Sequence, residues 1–565
     1  MTEINEFKFN EKELDNIKEL EYGNNWPVVY ILKNDKEAYV GESVNAYKRM
    51  GQHLKNEARK DLKTISIISD SEFNKSAILD MEALLIKYMS GENKYILQNL
   101  QNGQLEHNYY NKEHYKEKFS KIWDKLKENG IAEKGIHEIE NSEIFKYSPY
   151  KTLTVEQHNV VTDILSDIKY HVDRNEKATF IVRGSAGTGK TILALYLLKL
   201  ISDVMSDDYC ELDKEDSDGE FSGIQSLKNT NELRAAIVVP VTSLRGTLKK
   251  VVKGIKGLAS SNVIGPSEST KGEFNVLIVD EAHRLRRDKN VMPGVSNNFK
   301  TKNELFGLDD ANELDWIRKF SDYQILFYDI NQSIRSSDIP SEEYKNLSNN
   351  GITHYYNLSS QMRCLGGNDY INYIKDLLND KKPKYISDFG SYEFYLYEDI
   401  EVMVNKIKAL NKEYSLCRMV AGYGWEWSTK NYSSYDEIVK DNKSDIHIKG
   451  TNLIWNTTAN DWVNSINAIN EVGCIHTVQG YDINYCGVIF GPEISYDDVN
   501  DRIIVYKDNY KDKVGKKCLS KDSDLKTYIT NIYEVLLTRG IHGTYIYVCD
   551  DKLREYLKDF IRVVR

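Results

Sequence analysis

Apolar and polar residues follow two rhythms along this chain, and the change between them marks its organisation. Near the N-terminus Val28-Val29-Tyr30-Ile31-Leu32 reads as a strand, Lys33 to Glu37 as a turn and Ala38-Tyr39-Val40-Gly41-Glu42 as a returning strand, which predicts a hairpin. The next helix carries Arg49 and His53 four apart, on one face. A second helix has Ala77, Ile78, Met81, Leu84, Leu85 and Tyr88 on its apolar side, with Glu82 beside that stripe. From 111 to 129, Tyr115, Phe119, Ile122, Trp123 and Leu126 repeat at helical spacing until Gly130 stops the run, predicting a connecting helix.

After about residue 150 short apolar runs alternate with helical patterns: Thr179 to Val182, Ala235 to Pro240, Asn275 to Asp280, Gln324 to Asp329, Cys486 to Gly491 and Gly543 to Cys549. Strands that alternate with helices predict parallel sheets covered on both faces. Two stretches look inserted. Ser206 to Glu220 is acidic and reads as a surface loop, and Tyr506 to Lys521 interleaves lysines with tyrosines, either as a solvated turn or as a hairpin touching nucleic acid.

Composition changes this picture little. With 565 residues, 41% apolar and 28% charged, the chain has the make-up of a globular protein of several domains. No run approaches the length of a membrane span and the N-terminus lacks the basic and apolar regions of a secretion signal, so the expectation is a cytoplasmic protein with no membrane partner. The seven cysteines are scattered and never form C-x-x-C, which argues against a disulfide framework and against a zinc site. A net charge of −11 weighs only weakly against nucleic acid, because binding depends on local patches.

Candidate chemistry is concentrated first at Gly184-Ser185-Ala186-Gly187-Thr188-Gly189-Lys190-Thr191, which fits G-x-x-x-x-G-K-[ST] between an apolar strand and an apolar helix. Gly184, Gly187 and Gly189 let backbone N–H groups curl around phosphate oxygens, Lys190 neutralises the β and γ phosphates, and Thr191 offers a hydroxyl to Mg²⁺. Val276-Leu277-Ile278-Val279 then ends in two acids with separate tasks: Asp280 to hold Mg²⁺ and Glu281 to orient the attacking water.

From about Thr152 onward the chain resembles a superfamily 1 helicase, and more narrowly the Schlafen group 3-like DNA/RNA helicase domain of bacterial nuclease-helicase proteins. The resemblance implies that Gln157, in Leu153-Thr154-Val155-Glu156-Gln157, reads the adenine edge of ATP. It implies that Gln332, in Tyr328-Asp329-Ile330-Asn331-Gln332, senses the γ-phosphate, although the usual Gly-Asp start is Tyr-Asp here. Arg363, in Leu358-Ser359-Ser360-Gln361-Met362-Arg363, would reach the γ-phosphate, and Arg539, in Leu536-Leu537-Thr538-Arg539-Gly540, would be an arginine finger. Ile475 to Asp482, including Gln479, is similar to the motif that links strand contacts to the nucleotide, and Val239 to Arg245 with Lys249, Lys250 and Lys253 to a loop that touches a nucleic-acid backbone. Trp425 and Trp427 read either as base-stacking residues or as core fillers.

The N-terminal hairpin and two helices, over roughly Trp26 to Asn102, resemble the GIY-YIG nuclease domain. The family's paired tyrosines fall on Tyr30 and Tyr39, its arginine on Arg49, a histidine on His53, its metal-binding glutamate on Glu82 and its closing asparagine on Asn99; the first tripeptide is Val-Val-Tyr and lacks the initial glycine. The resemblance implies that Glu82 holds Mg²⁺ or Mn²⁺, Arg49 clamps the scissile phosphate and Tyr30 takes the proton of water, with nearby positive charge lowering its pKa.

The expected fold is α/β: a small α+β GIY-YIG nuclease domain over 1–108, a helical linker over 109–150, and two RecA-like parallel-sheet P-loop domains over 151–345 and 346–565. The expected activity is a metal-dependent endonuclease coupled to an ATP-hydrolysing helicase or translocase on DNA, with RNA and self-assembly left open, in defence against phage or foreign DNA. Repair is the alternative role. A nuclease gated by an ATP-sensing domain that does not translocate is the alternative mechanism.

Overall fold

The computed structural model describes residues 2–99, 109–151, 153–185, 187–205, 234–329, 337–361, 364–458, 462–478, 481–512 and 522–565. Gln332, Arg363, Gln479, the acidic segment from Ser206 to Glu220 and the tail of the lysine–tyrosine segment therefore lie outside the described residues.

Three sheets carry the fold. The first is built from β1 (Glu3–Lys8), β2 (Val28–Lys33), β3 (Glu37–Ser43), β4 (Thr64–Ser69) and β5 (Ile96–Leu97) in the order β1-β4-β2-β3-β5. Its pairs are antiparallel except β3 with β5. Alternation sorts the hairpin onto two faces: Val29, Ile31, Ala38 and Val40 pack toward helix α2 (Lys75–Glu92), while Val28, Tyr30, Leu32 and Tyr39 join Met50, Ile65 and Ile67 beside helix α1 (Ala46–His53). Tyr30 stands opposite Gly41 in the antiparallel register, and a Cβ at Gly41 would collide with the Tyr30 hydroxyl, so that strand position needs glycine.

Helix α3 (Lys112–Glu128) forms where the 111–129 pattern predicted one, but it is not a spacer. Tyr115, Phe119, Ile122, Trp123 and Leu126 are all buried against α2, and Trp123 Nε1 donates to Lys134 O at 3.0 Å. Two short helices, α4 (Ile136–Asn141) and α5 (Glu143–Lys146), continue the packing. The expected linker is thus part of one apolar core running from the first sheet through Trp123 and Phe145 into Ile164 and Phe180 of the next unit. The apolar face of α3 has enough area to demand a partner, and α2 supplies it.

After α6 (Val155–Val172), a wholly parallel sheet of β6 (Ala178–Gly184), β7 (Ala235–Val238), β8 (Val263–Ile264), β9 (Phe274–Val279), β10 (Ser321–Tyr328) and β11 (Ile352–Leu358) has the order β11-β6-β10-β9-β7-β8. Helices α7 (Lys190–Met205) and α8 (Thr242–Val252) follow β6 and β7. Because β11 pairs with β6, this first lobe runs past the boundary expected at 345. The strand is only half-buried because it lies at the edge of the sheet.

The second lobe holds β12 (Glu393–Tyr397), β13 (Arg418–Ala421), β14 (Ile446–Ile448), β15 (Thr451–Trp455), β16 (Glu471–Gly473), β17 (Ile483–Phe490), β20 (Gly540–Val548) and β21 (Arg562–Val564), in the order β14-β15-β16-β13-β17-β20-β12-β21. Only the β14–β15 pair is antiparallel. A separate hairpin of β18 (Ile494–Asp497) and β19 (Arg502–Val505) precedes the lysine–tyrosine segment, and α9 (Asp522–Leu537) follows it. Trp425 and Trp427 pack against this lobe's core, Trp425 edge-on to Trp455 at 6.4 Å, which favours the core-filling reading. No helix among the described residues is long and apolar enough to cross a membrane.

Candidate functional site

β6, β9 and β10 end side by side, and the residues just after them converge. Gly187 and Gly189 have φ of 84° and 80°, the left-handed backbone that a phosphate loop requires. A Cβ at Gly187 would also strike the Gln361 side-chain amide. Lys190 opens α7 with Nζ folded back onto Gly184 O at 2.8 Å and Ser185 O at 2.7 Å, and it stands 3.6 Å from the Asp329 carboxylate.

Thr191 Oγ1 donates to Asp280 Oδ2 at 2.8 Å. The other Asp280 oxygen is buried and has no hydrogen-bond partner among the described residues. Burial, and then the neighbouring Glu281 charge, push the Asp280 carboxyl up to about 7. A hydroxyl beside a buried carboxylate with an unused oxygen fits the water shell of a Mg²⁺ ion, so this donor set suits the cation that accompanies a nucleoside triphosphate.

Glu281 has φ of 54°, an uncommon conformation for a non-glycine residue and one that concentrates at functional turns. The turn brings its carboxylate to 2.8 Å from His283 Nε2. The Asp329 backbone N–H donates to His283 Nδ1 at 3.3 Å, which fixes the ring with Nε2 as the nitrogen nearest Glu281. Burial opposes charge on Glu281, but His283 and then Lys190 prevail and hold its carboxyl well below the usual range. Neither His283 nor Asp329 was assigned a role from sequence. Both stand beside residues with assigned roles, His283 two after Glu281 and Asp329 beside Tyr328, but their partnership crosses two strands.

Gln157 is placed differently from the expectation. Its Nε2 donates to Thr188 O at 3.0 Å, its Oε1 accepts from Thr154 N at 3.1 Å, and it is 3% exposed. The amide therefore braces the phosphate loop from within a capping box rather than presenting a free edge to a base. Glu156 beside it accepts from Ser359 N, Ser359 Oγ and Ser360 N at 2.8, 2.6 and 2.9 Å, which anchors the segment leading into the second lobe. Arg539 is 1% exposed and its Nη1 donates to Tyr481 O at 3.4 Å, a contact inside the second lobe. Arg245 Nη1 likewise returns to Val239 O at 2.9 Å.

A model of the Schlafen group 3, DNA/RNA helicase domain matches residues 177–550, about two thirds of the chain. The chain belongs to that family. The helicase domain so defined contains the phosphate loop, the two acids and the second lobe as far as residue 550, and membership implies ATP as the nucleotide with Mg²⁺ as its cation. An uncharacterised protein of Saccharomyces cerevisiae is 27% identical over 451 residues, covering 72% of this chain and 90% of its own length. Among solved structures, a Pif1 helicase from Bacteroides in complex with ADP-AlF3 and ssDNA aligns over 68% of this chain and 92% of its own, at 12% identity and a TM-score of 0.25. A Pif1 helicase from Candida albicans aligns over 72% and 98%, at 12% identity and a TM-score of 0.26.

Outside the helicase domain a second cluster forms on the first sheet. The Tyr30 hydroxyl and His53 Nε2 are 2.8 Å apart in a buried contact, and both rings pack around Tyr39, at 6.4 and 5.2 Å between centroids. Asn99 closes the hairpin edge: its Oδ1 accepts from Val40 N at 3.0 Å and its Nδ2 donates to Val40 O at 2.8 Å. Arg49 Nη1 donates to Gln52 Oε1 at 3.4 Å, and Arg49 and Glu82 both act on the charge of Tyr30.

Within the chain itself, the arginine share of the charge expected to lower the Tyr30 pKa is outweighed. Burial dominates, Tyr39 and Glu82 add to it, and Arg49 only partly offsets them, so the phenol is held well above its ordinary 10.0. His53 is driven the other way, to about 3, by burial and by Arg49 and Arg59. Arg59 was not picked out from sequence. It is buried with its guanidinium 4.0 Å over the Tyr39 ring, and Nη1 donates to Gln98 Oε1 at 3.0 Å. Among the described residues no group of three or more His, Cys, Asp or Glu side chains could hold a metal. Glu82 is a single carboxylate, which fits the way Mg²⁺ is held where substrate phosphate completes the shell.

Proposed function

We propose that this protein is an ATP-driven motor on DNA that carries a phosphodiester-cutting domain of GIY-YIG type at its N-terminus, and that it acts in defence against phage or other foreign DNA. The observation that carries the motor half is the convergence of Lys190, Thr191, Asp280, Glu281, His283 and Asp329 at the ends of three adjacent parallel strands. In this reading Lys190 leaves the loop carbonyls for phosphate oxygens when nucleotide enters, and Glu281, oriented by His283, polarises the attacking water. In the same reading Arg363 and Arg539 are the arginines that reach the phosphates and Gln332 is the γ-phosphate sensor, as the motif resemblance implies, once the lobes close on ATP.

The cutting half is supported by the Tyr30–His53 contact within a group of Tyr39, Arg49, Glu82 and Asn99. A divalent cation at Glu82 would supply Lewis acidity at the scissile phosphate. Arg49 would hold that phosphate. Tyr30 is held protonated by burial with uncharged His53 at its hydroxyl, so in this reading the pair orients the attacking water, and the charge of a divalent cation at Glu82 together with Arg49 would be what lets the phenol take the water's proton.

Cleavage of supercoiled plasmid with Mg²⁺ or Mn²⁺, with and without ATP, tests both halves. Loss of nicking in Glu82→Ala with ATP turnover intact supports the cutting assignment, whereas unchanged nicking contradicts it. Cleavage that needs ATP hydrolysis means the motor drives cutting; cleavage suppressed by ATP means it restrains cutting. An RNA substrate in parallel decides between the two polymers, and plating of phage on cells with and without the protein tests the defence role.

A further inference from the structure

Residues 136–148 precede the stretch that matches the helicase family, yet they touch three bodies at once. Against α2, a Cβ at Gly91 would come within 2.6 Å of Phe145 Cδ2 and 2.8 Å of Ile139 Cγ2, so these two side chains rest directly on the α2 backbone. Tyr88 OH donates to Glu140 Oε1 at 2.6 Å, and its ring lies 5.1 Å from that of Phe145. Against the first lobe, Thr247 Oγ1 on α8 donates to Glu143 Oε1 at 3.4 Å. Against the second lobe, Asn464 Nδ2 donates to the same oxygen at 3.1 Å. Asn141 Nδ2 donates to Tyr414 O at 3.2 Å while its Oδ1 accepts from Asn484 at 2.8 Å, and Lys146 Nζ donates to Asp482 O at 3.4 Å. Asp482 follows Tyr481, whose carbonyl receives Arg539.

We infer that Glu143 is a positioning residue that registers the separation of the two motor lobes and passes it, through α5 and Phe145, to helix α2 and Glu82. The inference rests on the two-lobed motor reading and extends it to a segment outside the helicase domain. One carboxylate oxygen accepts from both lobes, from Asn464 at an ordinary 3.1 Å and from Thr247 at 3.4 Å, a bond already at the long end of the hydrogen-bond range. Relative motion of the lobes by about an ångström breaks one of these bonds unless α5 moves. A moving α5 presses Phe145 on the backbone at Gly91, because packed interfaces are bistable rather than soft. Gly91 and Glu82 share one unbroken helix, nine residues or roughly 14 Å apart along its axis, so the displacement reaches the candidate cutting site without a loop to absorb it.

The test is hydrogen exchange of α2 in the full-length protein, with and without a non-hydrolysable ATP analogue, in wild type, Glu143→Gln, Glu143→Ala, Thr247→Val and Asn464→Ala. Glu143→Gln keeps the acceptor oxygen and should respond like wild type. Glu143→Ala should lose the analogue-dependent change in α2, while analogue affinity stays within about twofold, since no residue of the nucleotide site is altered. Thr247→Val and Asn464→Ala each remove one lobe's bond and should weaken the response; they decide the matter if Glu143→Ala does not fold. Retention of the full response in Glu143→Ala, or in both lobe variants, overturns the inference. A wild type whose α2 ignores a bound analogue also overturns it. A wild type that binds no analogue overturns the motor reading itself, and the coupling falls with it.

Discussion

The Glu281 carboxylate lies 2.8 Å from Nε2 of His283, and the imidazole's other nitrogen accepts the backbone N–H of Asp329 at 3.3 Å. Glu281, proposed to orient water, is thus linked through His283 to the residue that follows β10.

Glu281→Gln should lower kcat for ATP hydrolysis by about 10² to 10⁴, the usual worth of a positioned base, with KM little changed. His283→Ala should lower kcat by about tenfold and leave KM within about twofold, because orientation is lost and binding is not. Steady-state turnover at saturating single-stranded DNA separates the two terms. A His283→Ala enzyme with wild-type kcat would remove the imidazole from the account.

Glu493 gives a pH dependence in the second lobe. It is fully buried, Tyr533 OH donates to its Oε1, and burial raises its carboxyl to about 7 from an ordinary 4.5. The folded protein therefore keeps this proton up to about pH 7, while the unfolded chain releases it near 4.5. Its stabilising contribution is whole below the unfolded value and is lost as pH rises through the folded one. Glu493→Gln, which keeps the acceptor for Tyr533, should gain on the order of 1–3 kcal/mol relative to wild type above pH 7 and nothing at pH 4.5. Thermal unfolding across that range shows it, and a gain that does not vary with pH would contradict it.

Gly91 tests the contact between α2 and α5. Gly91→Ala places a methyl within 2.6 Å of Phe145 and 2.8 Å of Ile139, so overpacking should cost about 1–3 kcal/mol despite the better helix propensity of alanine. Urea unfolding measures this directly. A stabilised variant would mean that the two segments are not in close contact.

Tyr30→Phe preserves the buried ring and removes only the hydroxyl that meets His53. Plasmid cleavage should fall by about 10² or more while ATP turnover stays at the wild-type rate. Cleavage at the wild-type rate would show that the phenol is packing, not chemistry.

Much of this architecture was legible in the sequence where local rules decide. The phosphate loop, the apolar runs of β6, β9 and β10, and the α2 stripe around Glu82 are set by periodicity and glycine placement, and they formed where expected. Residues 3–8 were not read as a strand because β1 is a half-exposed edge strand whose only register partner is β4. The 109–150 segment was read as a linker because its helical period shows an apolar face but not what covers it, and the cover is a helix about thirty residues earlier. The same limit hid His283, Arg59 and Glu143, whose roles depend on partners 46, 39 and 321 residues away. Gln157 shows the converse: its position in a motif was plain, but its amide is engaged by Thr188 O and Thr154 N.

The most direct test of the motor is ATP hydrolysis by wild type and Lys190→Ala, each with and without single-stranded DNA, after both are shown to be folded. Wild-type turnover should rise with DNA, and Lys190→Ala should lose about 10² or more of that rate, because one charged donor to the transferring phosphate is gone. Equal turnover in the two proteins, or a wild type that hydrolyses no ATP, would contradict the account.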